Sequence, residues 1–521
     1  MPLLGIENDE ALFGNVFYEP RGGGYAYHLG RSHLPLMILS YLGTLKSWIY
    51  KPIYGLLGIG VTSTRVPVAV LGAASIWLFY RLLDRIAGRR AALIGCGLLA
   101  TDAVYLLTST FDWGPVALQH VLVLGGALLL VRFWQRRDKS GDKLALAGGF
   151  FLFGLALWDK ALAIWVLSGM AVAALVTLPK QIAQVTTWRH VGIAGLSLVV
   201  GAFPLILYNI HTRGGTLHGN AVADTAGAPA KVGALADTIR GSGLFGYLSP
   251  EDWQTPQPRT KGDWLERAST KVASASRGPY RSLQLYGLLL AVLLIPLARG
   301  AALRTLIFFL VTFAVAWVQM ALTAHAGNAM HHTILLWPLP QAIMAVSFAS
   351  ASRRLGAAGI PAIAAVTATL MVSGLLLMNS YFARMVRNGG AISWTDAIFP
   401  LSEYMKKTPA TEVFCLDWGF LDSLRLLSDG KLPVRVGEDP IQKPELTDAD
   451  RERLTDMISN PEHVFIAHEK PFEFYPGLAE KLTLFAAAHG GYRKETLAAI
   501  SDSNGRPTFE VFRFYGTGLP S

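Results

Sequence analysis

Ten apolar segments, each close to the length that crosses a membrane, constrain this sequence more than any other feature. An α-helix needs about 20 consecutive apolar residues to cross roughly 30 Å of hydrocarbon. Inside the hydrocarbon the backbone must satisfy its own hydrogen bonds, so such segments fold as helices. The predicted spans are residues 64–82, 91–110, 114–133, 144–158, 161–178, 190–209, 283–298, 304–323, 333–350 and 357–379.

The segment 34–60 is also apolar, but Lys46, Lys51 and Pro52 interrupt it. We predict an interfacial or partly re-entrant helix here, and a complete span is the alternative. Only 16% of the residues are charged, whereas soluble domains carry roughly 25%. The sequence therefore predicts a polytopic α-helical membrane protein with about ten or eleven spans.

Basic residues are confined to alternate loops. Fifteen of them lie in one set of loops, whereas the short loops of the other set hold only Lys160. The positive-inside rule makes the basic set cytoplasmic. Its members are Arg81, Arg85, Arg89, Arg90, Arg132, Arg136, Arg137, Lys139, Lys143, Lys180, Arg189, Arg299, Arg304, Arg353 and Arg354. Residues 1–63, the long loop 210–282 and residues 380–521 are therefore predicted to lie outside the cytoplasm, in the periplasm if the membrane is an inner (plasma) membrane.

Two further features limit the possible functions. The net charge of +10 is accounted for by the cytoplasmic loops, so it does not indicate nucleic-acid binding. Cys96 and Cys415 lie far apart, one in an apolar run and one in a soluble region, which argues against a disulfide or a zinc site. The N-terminus is placed outside without a visible signal peptide, so we expect an upstream span.

The segment 380–521 has the pattern of a small soluble α/β domain, because short strands alternate with helices. The predicted strands are 412–418, 432–436, 463–467, 493–500 and 507–515, and the predicted helices are 421–427, 447–458 and 478–489. The segment has no glycine-rich phosphate loop, so we expect it to serve as a lid or as a docking module. The remaining domains are the first outer loop, residues 1–63, and the transmembrane domain, residues 64–379. Within the loop 210–282, residues 234–244 have helical spacing, and Trp253 and Trp264 are predicted to lie on the membrane surface.

Several polar residues fall on the predicted outer side, where polar groups near membrane depth are often functional. Asp9 and Glu10 are adjacent acids in the first outer loop. Asp112 precedes Gly114 and Pro115, and it could either cap the next helix or act in a site. Asp159 and Lys160 could form a local ion pair, but the lone outer lysine also suits an anionic headgroup.

Further candidates occur in the later outer loops. Asn209 and His211 end a predicted span, and an ordinary cap is the expected role of Asn209. His325, His331 and His332 lie within eight positions of one another. Their spacing matches no firm zinc pattern, so hydrogen bonding to a phosphate or sugar is favoured over metal binding. Each residue has a structural explanation, but their shared side predicts one extracytoplasmic cavity.

This constellation resembles the class C (GT-C) membrane glycosyltransferases, which use polyprenyl-phosphate sugars. These include the protein O-mannosyltransferase-like family, family 39, and the lipid A aminoarabinose transferases. The matching elements are Asp9-Glu10, His33-Leu34-Pro35-Leu36, Asp112 with Gly114-Pro115, Asp159-Lys160-Ala161-Leu162, and His331-His332 with Trp337-Pro338-Leu339-Pro340. The sequence departs from the family at Asp159, where a small or hydroxyl residue is usual, and at His331-His332, which replace a tyrosine pattern.

The resemblance implies an inverting transfer of a hexosyl or pentosyl group from the polyprenyl-phosphate donor to a protein, lipid or glycan acceptor. Asp9 would act as the general base, with Glu10 as the alternative base. Asp112 would orient the acceptor or the sugar. Lys160 with His331 or His332 would bind the donor phosphate. No cofactor is required by this scheme, although a divalent metal is compatible with it.

Two other functions remain open at the level of sequence. The first is a transporter or flippase for a lipid-linked or anionic solute, which predicts polar residues within the spans and two related halves. The second is a non-catalytic membrane scaffold whose C-terminal domain binds a periplasmic partner. The sugar, the acceptor and the oligomeric state do not follow from the sequence.

Overall fold

The computed structural model describes residues 3–18, 25–29, 32–111, 113–136, 142–249, 262–324 and 326–516. Its helices are α1 (Asn8–Asn15), α2 (Leu45–Leu57), α3 (Val61–Ala87), α4 (Arg89–Leu99), α5 (Ala103–Thr108), α6 (Val116–Gln135), α7 (Lys143–Asp159), α8 (Ala163–Thr177), α9 (Pro179–Val185), α10 (Trp188–Gly201), α11 (Phe203–His211), α12 (Gly215–Asn220), α13 (Ala228–Arg240), α14 (Trp264–Ala275), α15 (Gln284–Leu293), α16 (Ala301–Leu322), α17 (Met330–Thr333), α18 (Leu339–Arg354), α19 (Gly359–Asn388), α20 (Ile398–Met405), α21 (Leu421–Leu427), α22 (Asp439–Gln442), α23 (Asp448–Ser459) and α24 (Leu478–Ala488). Its strands are β1 (Tyr25–Leu29), β2 (Ser32–Leu39), β3 (Leu42–Gly43), β4 (Glu412–Cys415), β5 (Val434–Val436), β6 (His463–His468), β7 (Tyr492–Ser501) and β8 (Pro507–Gly516).

Among the described residues, five helical segments are long and apolar enough to cross a membrane: α3, α6, α16, α17 with α18, and 356–388. The count rises to seven if α8 with α9 and α10 with α11, which are bent by 99° and 70°, each form one span. The prediction of a polytopic helical membrane protein is therefore confirmed. The other three predicted spans, 91–110, 144–158 and 283–298, are shorter or broken helices.

The break in the predicted span 91–110 has a clear cause. Asp102 ends the gap between α4 and α5, and its carboxylate accepts the Tyr105 N–H at 2.9 Å, which starts a new helix. The same carboxylate accepts hydrogen bonds from Trp337 Nε1 at 3.2 Å and from Gln341 Nε2 at 2.9 Å. This buried aspartate thus joins α5 to α18, which periodicity alone does not show.

The prediction for residues 34–60 is only partly right. β2 and β3 occupy the first part of this segment, where the apolar pattern predicts a helix, and they pair with the preceding β1 in a three-stranded antiparallel sheet. The helix α2 follows, and its 13 residues are too few to cross a bilayer. Leu56 and Leu57 at its end are strongly exposed, as expected for an interfacial helix.

The helices of the membrane region pack around α18, in which every residue from Pro340 to Ser352 is buried. Glycines allow α7 and α10 to approach each other closely. A Cβ atom on Gly154 of α7 would lie 2.3 Å from the Leu198 carbonyl oxygen, and one on Gly201 of α10 would lie 2.4 Å from the Phe151 carbonyl oxygen. Such small residues let two membrane helices approach closely.

The segment after α19 forms the predicted α/β domain. Its sheet has the order β5-β4-β6-β8-β7, in which β5, β4 and β6 are parallel and the β6-β8 and β8-β7 pairs are antiparallel. One face packs against α23 and α24, and the other packs against α20 and α21. The strands and helices predicted from the sequence are all present, and Thr447 caps α23 together with Asp450.

The described part of the long loop 210–282 contains two longer helices, α13 and α14. The predicted helix 234–244 corresponds to α13, which begins and ends earlier. α14 lies along α19, where Asn379 Nδ2 donates to the Ser269 carbonyl at 3.0 Å. Trp264 is exposed at the start of α14, while Trp253 lies outside the described residues.

Candidate functional site

Helix α1, which carries the adjacent acids Asp9 and Glu10, is capped by a third acid. The Glu7 side chain accepts the Asp9 N–H at 2.7 Å, and the Glu7 N–H donates to Glu10 Oε2 at 3.3 Å. This reciprocal pair is a capping box, which satisfies two of the backbone N–H groups at a helix start. Burial raises the pKa of Glu7 well above its usual value, and the charges of Asp9 and Glu10 add to this effect.

Glu10 is held in a buried ion pair with Arg65 of α3. Arg65 Nε donates to Glu10 Oε1 at 2.9 Å, and Arg65 Nη2 donates to Glu10 Oε2 at 2.7 Å. The same guanidinium donates to the carbonyls of Leu4 at 3.1 Å and Gly5 at 2.6 Å. Both side chains of the ion pair are almost completely buried. Glu10 therefore fastens α1 to the membrane region, and this bidentate pairing engages both of its oxygens.

Asp9 is half-buried, in contrast to Glu7 and Glu10. Burial raises the pKa of its carboxyl group, while the positive charges of Lys160 and Lys46 and a hydrogen bond from the Trp113 side chain oppose that rise. Asp9 is thus a partly accessible carboxylate beside two cations. A raised pKa makes a carboxylate a stronger base once it is ionised.

Lys46 of α2 is buried within the same cluster. Its Nζ donates to the Gly114 carbonyl at 3.1 Å and lies 4.1 Å from the centre of the Phe13 ring. Burial lowers the pKa of Lys46 to about 7, although Asp159, Glu10 and Asp9 favour its charged form. A narrow, mostly apolar groove lies beside Lys46 between α2, α3 and α6.

Lys160 lies on the other side of Gly114, at the end of α7. Its Nζ donates to the His331 carbonyl at 3.3 Å, and a Cβ atom on Gly114 would lie 4.0 Å from it. Burial lowers the pKa of Lys160 to about 8, and Asp9 and Asp159 oppose this. The two ammonium groups thus flank one backbone position, Gly114, whose positive φ of 81° suits glycine.

Asp159 is fully buried next to Lys160, and neither carboxylate oxygen has a hydrogen-bond partner in the described part of the chain. The backbone around it is covered by the small sheet. Leu42 of β3 forms a bridge with Lys160, and Trp158 Nε1 donates to the Leu36 carbonyl at 2.8 Å. The local ion pair expected from the sequence is therefore replaced by a longer-range interaction of Asp159 with Lys46 and Lys160.

Aromatic rings form one wall of this cluster. Trp113 stacks on Tyr247 with their ring centres 3.9 Å apart, and it lies 4.9 Å from the His331 ring. The His331 and His332 rings are 4.1 Å apart. Tyr247 belongs to the long loop 210–282, and its hydroxyl lies 3.5 Å from Glu7 Oε1, so this loop reaches the acids of α1. Nδ1 of each histidine is buried without a hydrogen-bond partner among the described residues.

The structure places the other candidates elsewhere. His33 is exposed on β2, opposite His28. Asn209 Oδ1 accepts the Thr216 N–H at 3.1 Å and Asn209 Nδ2 donates to Thr216 Oγ1 at 2.8 Å, which links the end of α11 to the start of α12. His211 Nδ1 bonds the Leu207 carbonyl at 2.9 Å at the end of α11. Asp112 and His325 lie outside the described residues, so their predicted roles stay predictions.

The sequence predicts that Asp9, Lys160 and His331 lie together, but it does not assign their neighbours Lys46 and Arg65 to the site. In the sequence Lys46 only interrupts an apolar segment, and Arg65 lies within a predicted span. A charge inside an apolar segment is itself a functional signal, and it could have identified both residues. Nothing in the local sequence marks Tyr247. Within the described ranges, no group of three or more His, Cys, Asp or Glu side chains is arranged to hold a metal ion.

Residues 44–206 match the family model of dolichyl-phosphate-mannose-protein mannosyltransferases. This segment contains Lys46, Arg65, Trp113, Asp159 and Lys160. Among curated protein sequences, none matches the chain significantly.

Solved structures with a similar fold span nearly the whole chain. ArnT from Cupriavidus metallidurans bound to undecaprenyl phosphate has a TM-score of 0.56 and 14% identity, covering 98% of this chain and 94% of that one. Its apo form has a TM-score of 0.53 and 13% identity, covering 98% and 95%. The apo oligosaccharyltransferase of Archaeoglobus fulgidus has a TM-score of 0.50 and 12% identity, covering 99% and 71%. The chain thus has the fold of the GT-C glycosyltransferases, and the resemblance predicted from its sequence is confirmed.

Proposed function

We propose that this protein transfers a sugar from a polyprenyl-phosphate donor to an acceptor on the extracytoplasmic face of the membrane, with inversion at the anomeric carbon. The GT-C fold and the glycosyltransferase family match support the reaction class. The observation that carries the proposal is the placement of Asp9, a half-buried carboxylate beside two buried lysines. A base and two cations are what a single displacement at a sugar phosphate requires.

In this reaction the acceptor oxygen attacks the anomeric carbon while the bond from that carbon to the phosphate oxygen breaks. Asp9 takes the acceptor proton, which is general-base catalysis. The leaving group is the polyprenyl phosphate, which gains negative charge as the bond breaks. Lys46 and Lys160 stabilise this charge, because both ammonium groups lie beside Gly114 in a buried site.

The histidines assist at the phosphate side of the site. The His331 carbonyl holds Lys160 in place, and the rings of His331 and His332 carry Nδ1 atoms that have no hydrogen-bond partner among the described residues. Each ring can therefore present a hydrogen-bonding nitrogen to a phosphate or sugar oxygen. Glu10 serves as an anchor rather than as a second base, because Arg65 engages both of its oxygens. We retain Asp112 as the residue that orients the acceptor or the sugar.

The narrow groove beside Lys46 would receive the first units of the apolar chain, and the phosphate end would lie at the lysine. Its walls are Ile49, Pro67, Leu71 and Leu118, together with other side chains of α2, α3 and α6. A polyprenyl chain would enter from the lipid and end at the cluster of charges. This arrangement favours a lipid-linked donor over a soluble nucleotide sugar. The acceptor is a protein, lipid or glycan that reaches Asp9 from the outer side.

Transfer of radiolabelled sugar from a polyprenyl-phosphate donor in proteoliposomes tests the proposal. The Asp9→Asn variant keeps the shape of the side chain but cannot accept the proton, so we expect kcat to fall about 10²- to 10⁴-fold. Binding of the donor should be retained. Lys51→Met is the matched control, since Lys51 also lies on α2, five residues after Lys46, and is exposed.

The outcomes separate the alternatives. Normal transfer by Asp9→Asn would remove Asp9 from the base role and leave Asp112 as the next carboxylate to test. Wild-type protein that moves labelled lipid across the bilayer without forming a glycosylated product would instead support the flippase function.

A further inference from the structure

We infer that the C-terminal α/β domain is part of the catalytic unit, because its helix α21 holds both ends of α1, the helix that carries Asp9. This inference rests on the proposed role of Asp9 as the base. The sequence pattern predicts a different role for the domain, as a lid or docking module. The contacts between α1 and α21 instead place it directly behind the proposed base.

A single residue of α21 contacts both ends of α1. The Asp422 N–H donates to Asn8 Oδ1 at 3.2 Å, at the start of α1. Asn15 Nδ2, at the end of α1, donates to the Asp422 carbonyl at 2.7 Å and to Asp422 Oδ1 at 3.0 Å. Asn8 and Asn15 are seven residues apart, so they lie on one face of the helix, two turns from each other. That face is turned toward the C-terminal domain.

Asn8 of α1 supplies a hydrogen-bond acceptor that α21 lacks at its start. The first N–H groups of a helix have no partner within the helix. Phe420, which precedes α21, provides no side-chain cap. Asn8 accepts the N–H of Asp422 in its place, from a position 414 residues earlier in the chain. Arg425 Nη1 donates to Asp422 Oδ1 at 3.1 Å and so fixes the carboxylate that Asn15 contacts.

Close packing accompanies these hydrogen bonds. A Cβ atom on Gly14 would lie 2.6 Å from Leu426 Cδ1 and 3.0 Å from Tyr54 Cε2. Because glycine has no Cβ atom, α1 can approach α21 to this distance. Leu426 belongs to the same buried cluster as Phe13 and Tyr54. On its other side α1 is tied to α3 by the ion pair of Glu10 described above. The helix is therefore held between the membrane region and the C-terminal domain.

This position matters for chemistry because Asp9 lies between the two anchored residues, Asn8 and Glu10. A shift of about 1 Å in a catalytic group can reduce a rate by about 100-fold. Donor binding, in contrast, depends on Lys46 and Lys160, which belong to α2 and the end of α7. Loosening the contact between α1 and α21 should therefore lower kcat and leave the binding of polyprenyl phosphate unchanged. A domain that only docks the acceptor would change KM for the acceptor instead.

A pair of substitutions tests the inference in the full-length protein. Asn15→Asp removes the hydrogen-bond donor of the side chain and places a carboxylate against Asp422, so we expect kcat for sugar transfer to fall at least about tenfold. Adding Asp422→Asn supplies a side-chain amide that can donate a hydrogen bond to the carboxylate introduced at position 15. The double variant should therefore restore kcat to within about threefold of wild type. Asn460→Asp, at a turn of the same domain where Asn460 Nδ2 contacts His463, is the matched control and should not change kcat.

Binding of undecaprenyl phosphate and thermal unfolding are measured for every variant. If Asn15→Asp does not fold, Asn8→Ala takes its place, because it removes only the acceptor of the Asp422 N–H. A normal kcat in these variants, or a loss that affects acceptor KM alone, would overturn the inference while the proposed function stands. Wild-type protein that transfers no sugar would overturn both.

Discussion

Lys46 offers the sharpest test of the site, because the lysine is buried and its charge is conditional on pH. Replacement by methionine removes one of the two ammonium groups beside Gly114 while it keeps the apolar stem. A hydrogen bond to a charged group contributes about 1.5–3 kcal/mol. At about pH 6 we therefore expect Lys46→Met to bind undecaprenyl phosphate about 10- to 150-fold more weakly than wild type.

The difference in undecaprenyl phosphate affinity between wild type and Lys46→Met should change with pH in one direction. A lysine attracts phosphate only when it is protonated, and the pKa of Lys46 is about 7 while that of Lys160 is about 8. At pH 8 about one molecule in ten still carries a proton on Lys46, so its contribution weakens about tenfold between pH 6 and pH 8. Lys160 accounts for only about a twofold loss over the same range. The difference between wild type and Lys46→Met should therefore narrow as the pH rises.

The assay is equilibrium binding of labelled undecaprenyl phosphate to the detergent-solubilised protein at about pH 6, 7 and 8. Phosphate monoesters themselves gain charge near pH 6, so the ratio of the two dissociation constants at each pH is the measured quantity. Lys51→Met should match wild type throughout. Equal affinities of Lys46→Met and wild type at the lowest pH, or a ratio that does not change with pH, would refute the role assigned to Lys46.

Two further predictions concern stability. Arg65→Met removes the guanidinium that pairs with the buried Glu10 and should lower the free energy of unfolding by about 3–5 kcal/mol. The double variant with Glu10→Gln should recover part of the loss, and equal melting temperatures of the single variant and wild type would contradict the anchoring role. Thr447→Ala removes the cap of α23 and should cost about 0.5–2 kcal/mol without altering sugar transfer, as measured by thermal unfolding and by the proteoliposome assay.

The fold class followed from the sequence because its causes are local. Apolar length identifies membrane segments, and alternation of short strands and helices identifies the C-terminal domain. The positions at which helices break were predicted less well from the sequence. Asp102 divides a predicted span because it finds partners on Trp337 and Gln341, which are 235 and 239 residues away. The strand β2 was missed because its apolar residues, such as Leu34 and Leu39, resemble those of a short membrane helix.

The general grouping of the candidate site residues could be predicted from the sequence, because acids and a lysine on one predicted side imply one cavity. Its internal arrangement did not follow. Asp9 and Glu10 are equivalent in sequence, but Arg65 pairs with Glu10 and leaves Asp9 half-buried. That choice depends on the angle at which α1 meets α3, which no local pattern encodes. For the same reason, Tyr247 could not be assigned to the site before the position of the long loop was known.

The contact between α1 and Asp422 also sets an order of events during synthesis. Asp422 follows Asn8 by 414 residues, which corresponds to roughly 20–80 s at about 5–20 residues per second. Until that time has passed, α1 lacks two contacts. Asp422 is not yet present to bind Asn8 and Asn15, and Leu426 is not yet present to pack against Gly14. Helix α1, which is made early, therefore reaches its final position only after the C-terminal domain has folded. A nascent or truncated chain would hold its lysines in the membrane region but would present no aligned carboxylate to a lipid-linked sugar.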